Sequence, residues 1–165
     1  MDRIDLYMWS YICNRFLDQV SRLRLIQTCK YMYQLKNNII SIECNDITTI
    51  NDILKFSNLR SLYVNENISV SRHIDRFTDL TSLYCRHCET ITNVDELFNL
   101  TYLDCRVCPN ITNIEKLVNL TYLECWCCPN ITNVEKLVNL TYLDCRNCPN
   151  ITNVEKLIIL KQLSR

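Results

Sequence analysis

Between Leu80 and Leu160 the sequence repeats itself every 20 residues, in four nearly identical units. A unit of this size is too small to bury its own apolar face, so neighbouring units must stack into a solenoid. Two less similar units precede these four, and the second of them contains one inserted residue. The pattern predicts a solenoid over residues 39–165, with function on the variable positions of one face. The units start at residues 39, 59, 80, 100, 120 and 140, and a partial unit starts at 160.

The spacing of apolar residues within a unit predicts how the chain turns. Counted from the first Leu, they occupy positions 1, 4, 6, 9, 12, 15 and 18. Positions 4 and 6 have the two-residue period of a strand, so Leu103 and Cys105 should point inward, while Tyr102, Asp104 and Arg106 point outward. Positions 9 to 18 recur every third residue, which suits tight turns or a 3₁₀-like return path. Twenty residues leave no room for a long α-helix.

The motif Leu-x-x-Leu-x-Cys-x-x-Cys resembles the leucine-rich repeat, whose pattern is Leu-x-x-Leu-x-Leu-x-x-Asn. Asn67 stands at the Asn position, and from Cys88 onward a Cys replaces it, as in the cysteine-containing subclass. The resemblance implies an α/β solenoid: a short leucine-rich-repeat stack with parallel strands on the concave side. Such proteins bind partners on that side, so we expect a protein target there.

Charge and hydropathy exclude several classes of protein. The chain carries 18 basic and 18 acidic residues, so nothing indicates a nucleic-acid or membrane partner. No apolar run reaches the ~18 residues of a transmembrane helix, and the first residues do not form a secretory signal. We expect an intracellular, cytoplasmic protein. The chain has no Gly, and we expect Asn110, Asn130 and Asn150, each after a Pro, to tolerate left-handed turn geometry instead.

Eight of the twelve cysteines form four Cys-x-x-Cys pairs, a spacing that can bind zinc. Both members of each pair fall on inward positions of the unit, so we predict two columns of small apolar core residues. Zinc shared between neighbouring units is the alternative; a redox role and disulfides are disfavoured. We expect no metal and no cofactor. The pairs are Cys85/Cys88, Cys105/Cys108, Cys125/Cys128 and Cys145/Cys148.

The outward strand positions form columns of Tyr, acidic residues and Arg, a composition typical of protein-binding surfaces. The alternative is that Tyr suits strands and that the charges are solvated cross-strand pairs. Neither His73 nor His87 has a paired nucleophile, and no Gly can build a phosphate loop, so we expect no enzymatic activity. The predicted partner-binding residues are Tyr84, Arg86, Tyr102, Asp104, Arg106, Tyr122, Glu124, Trp126, Tyr142, Asp144 and Arg146.

The first 38 residues do not fit the repeat and are spaced as on short amphipathic helices. Segments 5–12, 16–18, 22–25 and 28–30 together resemble an F-box. The chain is rich in Asn, Ile, Leu, Lys and Tyr, as the product of an AT-rich genome would be. An F-box followed by leucine-rich repeats with this composition is similar to proteins of amoeba-infecting giant viruses. The resemblance implies a substrate-recognition subunit of a cullin-RING (SCF-type) ubiquitin ligase, with the F-box docked on a Skp-type adaptor. The implied adaptor contacts are Leu6, Trp9, Ile12, Phe16 and Leu17.

Residues 1–38 have a second interpretation, as a helical cap that covers the first repeat of the solenoid. On that interpretation the protein is a stand-alone leucine-rich-repeat binding scaffold with no role in ubiquitin transfer. If the protein is viral, either role belongs to the host cytoplasm. The sequence leaves open the identity of the target, the oligomeric state, and how the end of the stack beyond Leu160 is covered.

Overall fold

The computed structural model describes residues 41–44, 54, 58–64 and 71–165. They form a parallel sheet in which every strand lies beside the strands of the preceding and following units, in chain order. This is a parallel-strand β-solenoid, consistent with the leucine-rich-repeat stack expected from the period. Its strands are β1 Ser41–Cys44, β2 Ser61–Val64, β3 Ser82–Tyr84, β4 Tyr102–Asp104, β5 Tyr122–Glu124, β6 Tyr142–Asp144 and β7 Gln162–Ser164.

The strand register follows the sequence period. Leu83 of β3 pairs with Leu103 of β4, and Leu103 in turn pairs with Leu123 of β5. Between β2 and β3 the partners are Leu62 and Leu83, one residue further apart in the chain. The inserted residue of the second unit is therefore accommodated outside the strands, and the inward column continues without a break.

The core is a stack of equivalent apolar residues, one set from each unit. In the unit starting at Leu100 all seven predicted inward positions are at most 1% exposed. Full burial of one Leu or Ile side chain stabilises a fold by roughly 1.5–3 kcal/mol, so identical layers supply a large and evenly distributed stabilisation. The apolar phase predicted from the sequence is confirmed. The seven residues are Leu100, Leu103, Cys105, Cys108, Ile111, Ile114 and Leu117.

The paired cysteines form two buried columns, as predicted, and every cysteine from Cys85 onward is a free thiol. The position 9 thiol bonds a carbonyl of the preceding unit: Cys108 Sγ lies 2.7 Å from the Cys85 oxygen, and Cys128 Sγ lies 2.9 Å from the Cys105 oxygen. Each of these thiols therefore joins the turn of its unit to the strand end of the preceding unit. Hydrogen bonding to Cys108 and burial raise the pKa of Cys85, which favours the thiol form. In the described ranges, no three His, Cys, Asp or Glu side chains are grouped so that they could hold a metal ion.

The turn after each strand differs from the prediction. Four of the five left-handed residues stand at position 8 of the unit, the fifth is Asn153, and the Asn residues after Pro are not among them. Those Asn residues act through their side chains instead, because Asn110 Nδ2 donates to the Glu89 oxygen at 2.7 Å and Asn130 Nδ2 to the Pro109 oxygen at 2.7 Å. Each Asn thus fastens its turn to the preceding unit. The left-handed residues at position 8 are His87, Val107, Cys127 and Asn147, with φ between 57° and 58°.

The return path contains less helix than an α/β solenoid implies. From residue 72 onward it consists of turns and short 3₁₀ helices at Ile74–Arg76 and Val154–Lys156. An apolar residue at every third position matches the three-residue turn of a 3₁₀ path. No helix in the described part of the chain is long and apolar enough to cross a bilayer. The helical module predicted for residues 1–38 lies outside the described residues.

Candidate binding face

The outward side chains of the strands and of the residues that follow them form one continuous surface, which we call the strand face. Strand alternation places positions 3 and 5 on this side, and position 7 follows at the strand end. The structure brings all eleven predicted partner-binding residues together here, with Tyr63 added. The strand face comprises Tyr63, Tyr84, Arg86, Tyr102, Asp104, Arg106, Tyr122, Glu124, Trp126, Tyr142, Asp144 and Arg146.

Five tyrosines stack ring upon ring along the strand face. Strands in a sheet lie about 4.8 Å apart, a spacing that allows rings on neighbouring strands to stack. The ring centroids of Tyr102 and Tyr122 are 4.5 Å apart, and those of Tyr122 and Tyr142 are 4.1 Å apart. Tyr63 and Tyr84 stack in the same way at 4.0 Å. Stacking leaves each ring only half-exposed, so the rings form a stiff surface.

The stack changes column in the middle. Tyr63 and Tyr84 occupy position 5 of their units, whereas Tyr102 and the tyrosines after it occupy position 3. At the change the rings of Tyr84 and Tyr102 are tilted by 33° and their centroids are 4.8 Å apart. The stack continues through this step because diagonal neighbours on adjacent strands are still within reach of an aromatic ring.

In the stack, the phenol groups of Tyr84 and Tyr122 have a raised pKa. Burial, together with a hydrogen bond to Tyr63, raises the pKa of Tyr84 to about 12. Burial, together with the hydrogen bond to Glu124, also raises the pKa of Tyr122. A neutral phenol has one hydrogen to donate, and Tyr122 gives it to Glu124 Oε1, which joins the tyrosine stack to the acidic column.

The acidic column lies beneath the arginines. Asp104, predicted to point outward, is on the outward side but fully buried, because two guanidinium groups cover it. Arg106 holds it with two hydrogen bonds of 3.0 Å, and Arg86 Nε lies 2.6 Å from its Oδ2. Asp104 therefore positions the arginines and does not itself present a charge to a partner.

Asp144 has the same arrangement in the unit starting at Leu140. Arg146 donates to it through Nε at 3.0 Å and Nη2 at 2.7 Å. The Asp144 side chain is 5% exposed and that of Arg146 is 57% exposed. The hydrogen bond from Arg146 lowers the pKa of Asp144, whereas burial raises the pKa of Asp104. In both units the carboxylate is inside and the guanidinium is outside.

Glu124 is held differently, because Trp126 replaces the arginine of its own unit. Tyr122 donates its hydroxyl to Glu124 Oε1, and Arg106 Nε lies 2.8 Å from Oε2. The Nε hydrogen of Arg106 is directed at Asp104, so Glu124 Oε2 receives no hydrogen bond from the described residues. Glu124 is thus paired only with an arginine of the preceding unit, whereas Asp104 also has the arginine of its own unit.

Trp126 borders an open cavity on the strand face, which we call the Trp126 cavity. Its volume is about 450 Å³ and its lining residues are Arg106, Trp126, Arg146, Asn147 and Arg165. Trp126 is 38% exposed, so part of its indole faces this space. The cavity combines guanidinium groups with an apolar ring, and none of its lining residues is acidic.

Two residues of this surface were not predicted from the sequence. Tyr63 could have been found, since it occupies the same position of its unit as Tyr84. Arg165 stands at position 6 of the partial unit, where the other units have an inward Cys or Val. A guanidinium group does not fit that buried column; Arg165 is exposed and lines the Trp126 cavity.

The opposite side of the solenoid, which we call the return face, is built from paired charges. Lys136 bonds Glu115 and Lys156 bonds Glu135, each pair joining one unit to the next. A second cavity of about 600 Å³ lies here, and its lining charges have both signs. The return face consists of Thr112, Glu115, Lys116, Thr132, Glu135, Lys136, Thr152, Glu155 and Lys156.

Comparison with known proteins gives similarity to solved structures only. The leucine-rich-repeat domain of the type III effector XopL has 21% identity and a TM-score of 0.47, over 66% of this chain and 43% of that one. Internalin C2 from Listeria monocytogenes has 24% identity and a TM-score of 0.49, over 79% of this chain and 73% of that one. The functional domain of InlJ from Listeria monocytogenes, described as including a cysteine ladder, has 21% identity and a TM-score of 0.45, over 78% of this chain and 39% of that one.

The chain spans less than half the length of the XopL and InlJ structures. No protein-family profile matches it, and no curated protein matches it. At these identities and scores the similarity says nothing about what this chain binds.

Proposed function

We propose that this protein is a protein-binding scaffold whose strand face contacts the partner. The observation that carries the proposal is the continuous tyrosine stack beside Trp126 and the arginines. Tyr, Trp and Arg are the residues most enriched among those that dominate binding energy at protein interfaces. The strand face concentrates them, while the return face carries Glu, Lys and Thr.

The rigidity of the strand face supports the same function. An ordered side chain loses little conformational freedom when a partner binds, and disordered side chains cost about 0.5–1.5 kcal/mol each to immobilise. The rings of Tyr102, Tyr122 and Tyr142 are already held by their neighbours, and Arg146 is held by Asp144. A partner therefore meets a surface that needs little ordering.

Site-specific photo-crosslinking tests this function. Benzoylphenylalanine replaces Tyr142 on the strand face in one protein and Thr112 on the return face in a matched control. We expect discrete protein cross-links in cells from position 142 and none above background from position 112. Equal cross-linking from both positions, or none from position 142, contradicts the proposal.

The F-box-like segment supports a more specific role, as the substrate receptor of a cullin-RING ubiquitin ligase in the cytoplasm. Its five implied adaptor contacts lie outside the described residues, so the support comes from the sequence alone. The test is binding of the full chain to a purified Skp-type adaptor, compared with a Leu6→Ala/Phe16→Ala variant. Binding that the variant loses supports this role. Absence of binding by the full chain leaves the stand-alone scaffold as the function.

A further inference from the structure

The unit starting at Leu120 carries an indole where its neighbours carry a guanidinium group. Position 7 is Arg86, Arg106 and Arg146 in the other complete units from Leu80 onward, and Trp126 in this one. We propose that the Trp126 cavity binds an acidic segment of the protein partner, in which a carboxylate stands next to an apolar or aromatic side chain. This inference rests on the proposed function of the strand face and specifies the chemistry of the partner.

The charge presented by the cavity is positive. Arg146 uses Nε and Nη2 to hold the buried Asp144, which leaves its Nη1 hydrogens available. Arg165 donates Nη2 to the Ile151 oxygen at 3.5 Å and forms no ion pair with any residue of the described ranges. The acids paired with Arg106 and Arg146 lie beneath them, so an approaching molecule meets the guanidinium groups first. A carboxylate is complementary to that layer, since guanidinium and carboxylate form charge-assisted hydrogen bonds.

The indole of Trp126 adds an apolar wall beside the cations. A group that is anionic throughout would leave this wall without a matching contact. An acidic peptide with an adjacent apolar or aromatic side chain fits both parts, because the side chain packs on the indole while the carboxylate reaches Arg165. A nucleic acid fits less well, since it needs cations along an extended path and the whole chain has a formal net charge of +0.

Fluorine NMR of the full chain tests the inference directly. The chain has two tryptophans, Trp9 and Trp126, so 5-fluorotryptophan labelling gives two resonances that a Trp126→Phe variant assigns. The probes are acetyl-Glu-Tyr-Glu-Tyr-Glu-amide, its all-Gln counterpart, and a single-stranded oligonucleotide, each at millimolar concentration. We expect the acidic peptide to shift the Trp126 resonance, and the all-Gln peptide and the oligonucleotide to leave it in place.

Two exposed arginines provide the variant and its control. Arg165→Gln removes a cavity cation without breaking an ion pair and should weaken binding of the acidic peptide about tenfold at low ionic strength. Arg76→Gln removes an exposed cation of the Ile74–Arg76 helix, which lies outside the strand face and the cavity, so binding should be unchanged. The inference is overturned by equal responses to the acidic and all-Gln peptides, by no response to either, by a response to the oligonucleotide, or by equal effects of the two variants. If the inference fails but position 142 still cross-links to a protein, the proposed protein-binding function is retained.

Discussion

The strand face and the return face are built from the same 20-residue unit, yet two neighbouring copies differ on the strand side and in the core and are identical on the return face. The units at 100–119 and 120–139 differ at four positions. None of the four lies on the return face. Three of the four differences fall on the side of the solenoid that displays the aromatic and arginine side chains. The differing pairs are Asp104/Glu124, Arg106/Trp126, Val107/Cys127 and, in the core, Ile114/Val134.

The two faces also differ in how their charges are held. On the strand face the carboxylates of Asp104 and Asp144 are buried under guanidinium groups. On the return face Glu115 and Lys136 are 36% and 60% exposed, so both ends of the pair reach water. Loss of a partner from a buried carboxylate of the strand face therefore costs stability, whereas loss of a partner from an exposed pair of the return face costs little.

The largest expected difference between the faces comes from the tyrosine stack. Tyr122→Ser removes ring contacts to Tyr102 and Tyr142 and the hydrogen bond to Glu124. Since each ring contact contributes ~0.5–1.5 kcal/mol, we expect a loss of about 2 kcal/mol in the free energy of unfolding, measured by urea denaturation. The return-face control Thr132→Ser should change it by less than about 0.5 kcal/mol. Equal effects would remove the energetic distinction between the faces.

A smaller difference is expected for the ion pairs. Arg146→Met leaves the Asp144 carboxylate buried with only a backbone N–H, that of residue 146 at 3.3 Å, and should cost on the order of 1–2 kcal/mol. Lys136→Met leaves Glu115 in contact with water and should have a much smaller effect. Thermal and urea unfolding of both variants measure the difference. A Lys136→Met loss as large as that of Arg146→Met would show that the two charge arrangements are equivalent.

The smallest expected effect is a pH dependence of opposite sign at the two buried acids. The pKa of Asp144 is lowered in the fold, so its contribution to stability is present above the unfolded pKa of about 3.9 and is lost as the pH falls. The pKa of Asp104 is raised, so its contribution is present below that value and is lost as the pH rises through the folded pKa.

Two amide variants separate these contributions. The stability of the wild-type protein relative to Asp144→Asn should decrease toward acid, and that relative to Asp104→Asn should increase toward acid. Urea midpoints over the acid range measure both slopes. Slopes of the same sign would contradict the different roles of desolvation and arginine bonding at the two sites.

The inward columns could be predicted from the sequence because every unit repeats them, so one residue such as Leu103 is supported by its equivalents. The left-handed turn could not, because His87, Val107, Cys127 and Asn147 share no turn chemistry. A β-branched residue is in fact among the least expected at positive φ. The stacking of units imposes the positive φ at position 8, so the residue at that position does not indicate it.

The sequence predicts which residues form the candidate site, but not which side chains lie beneath the others. Alternation places Asp104 and Arg106 on one side of the sheet, but whether the acid or the base is outermost depends on how long side chains fold over one another across units. The pKa directions of Asp104 and Asp144 differ for the same reason, although their sequence environments are nearly identical. Arg165 was missed because its position in the unit normally faces inward.

The bonds that fasten the turns reach back one unit and no further: Asn130 reaches Pro109, Cys128 reaches Cys105, and Thr121 Oγ1 reaches the Thr101 oxygen at 3.0 Å. Each donor needs only a predecessor of the same design. A gene can therefore gain or lose a 20-residue segment in frame without leaving a broken contact. Each such event lengthens or shortens the tyrosine row by one rung, about 4.8 Å. The length of the strand face is therefore set by the number of units. Its chemistry is set by the few residues that differ between units.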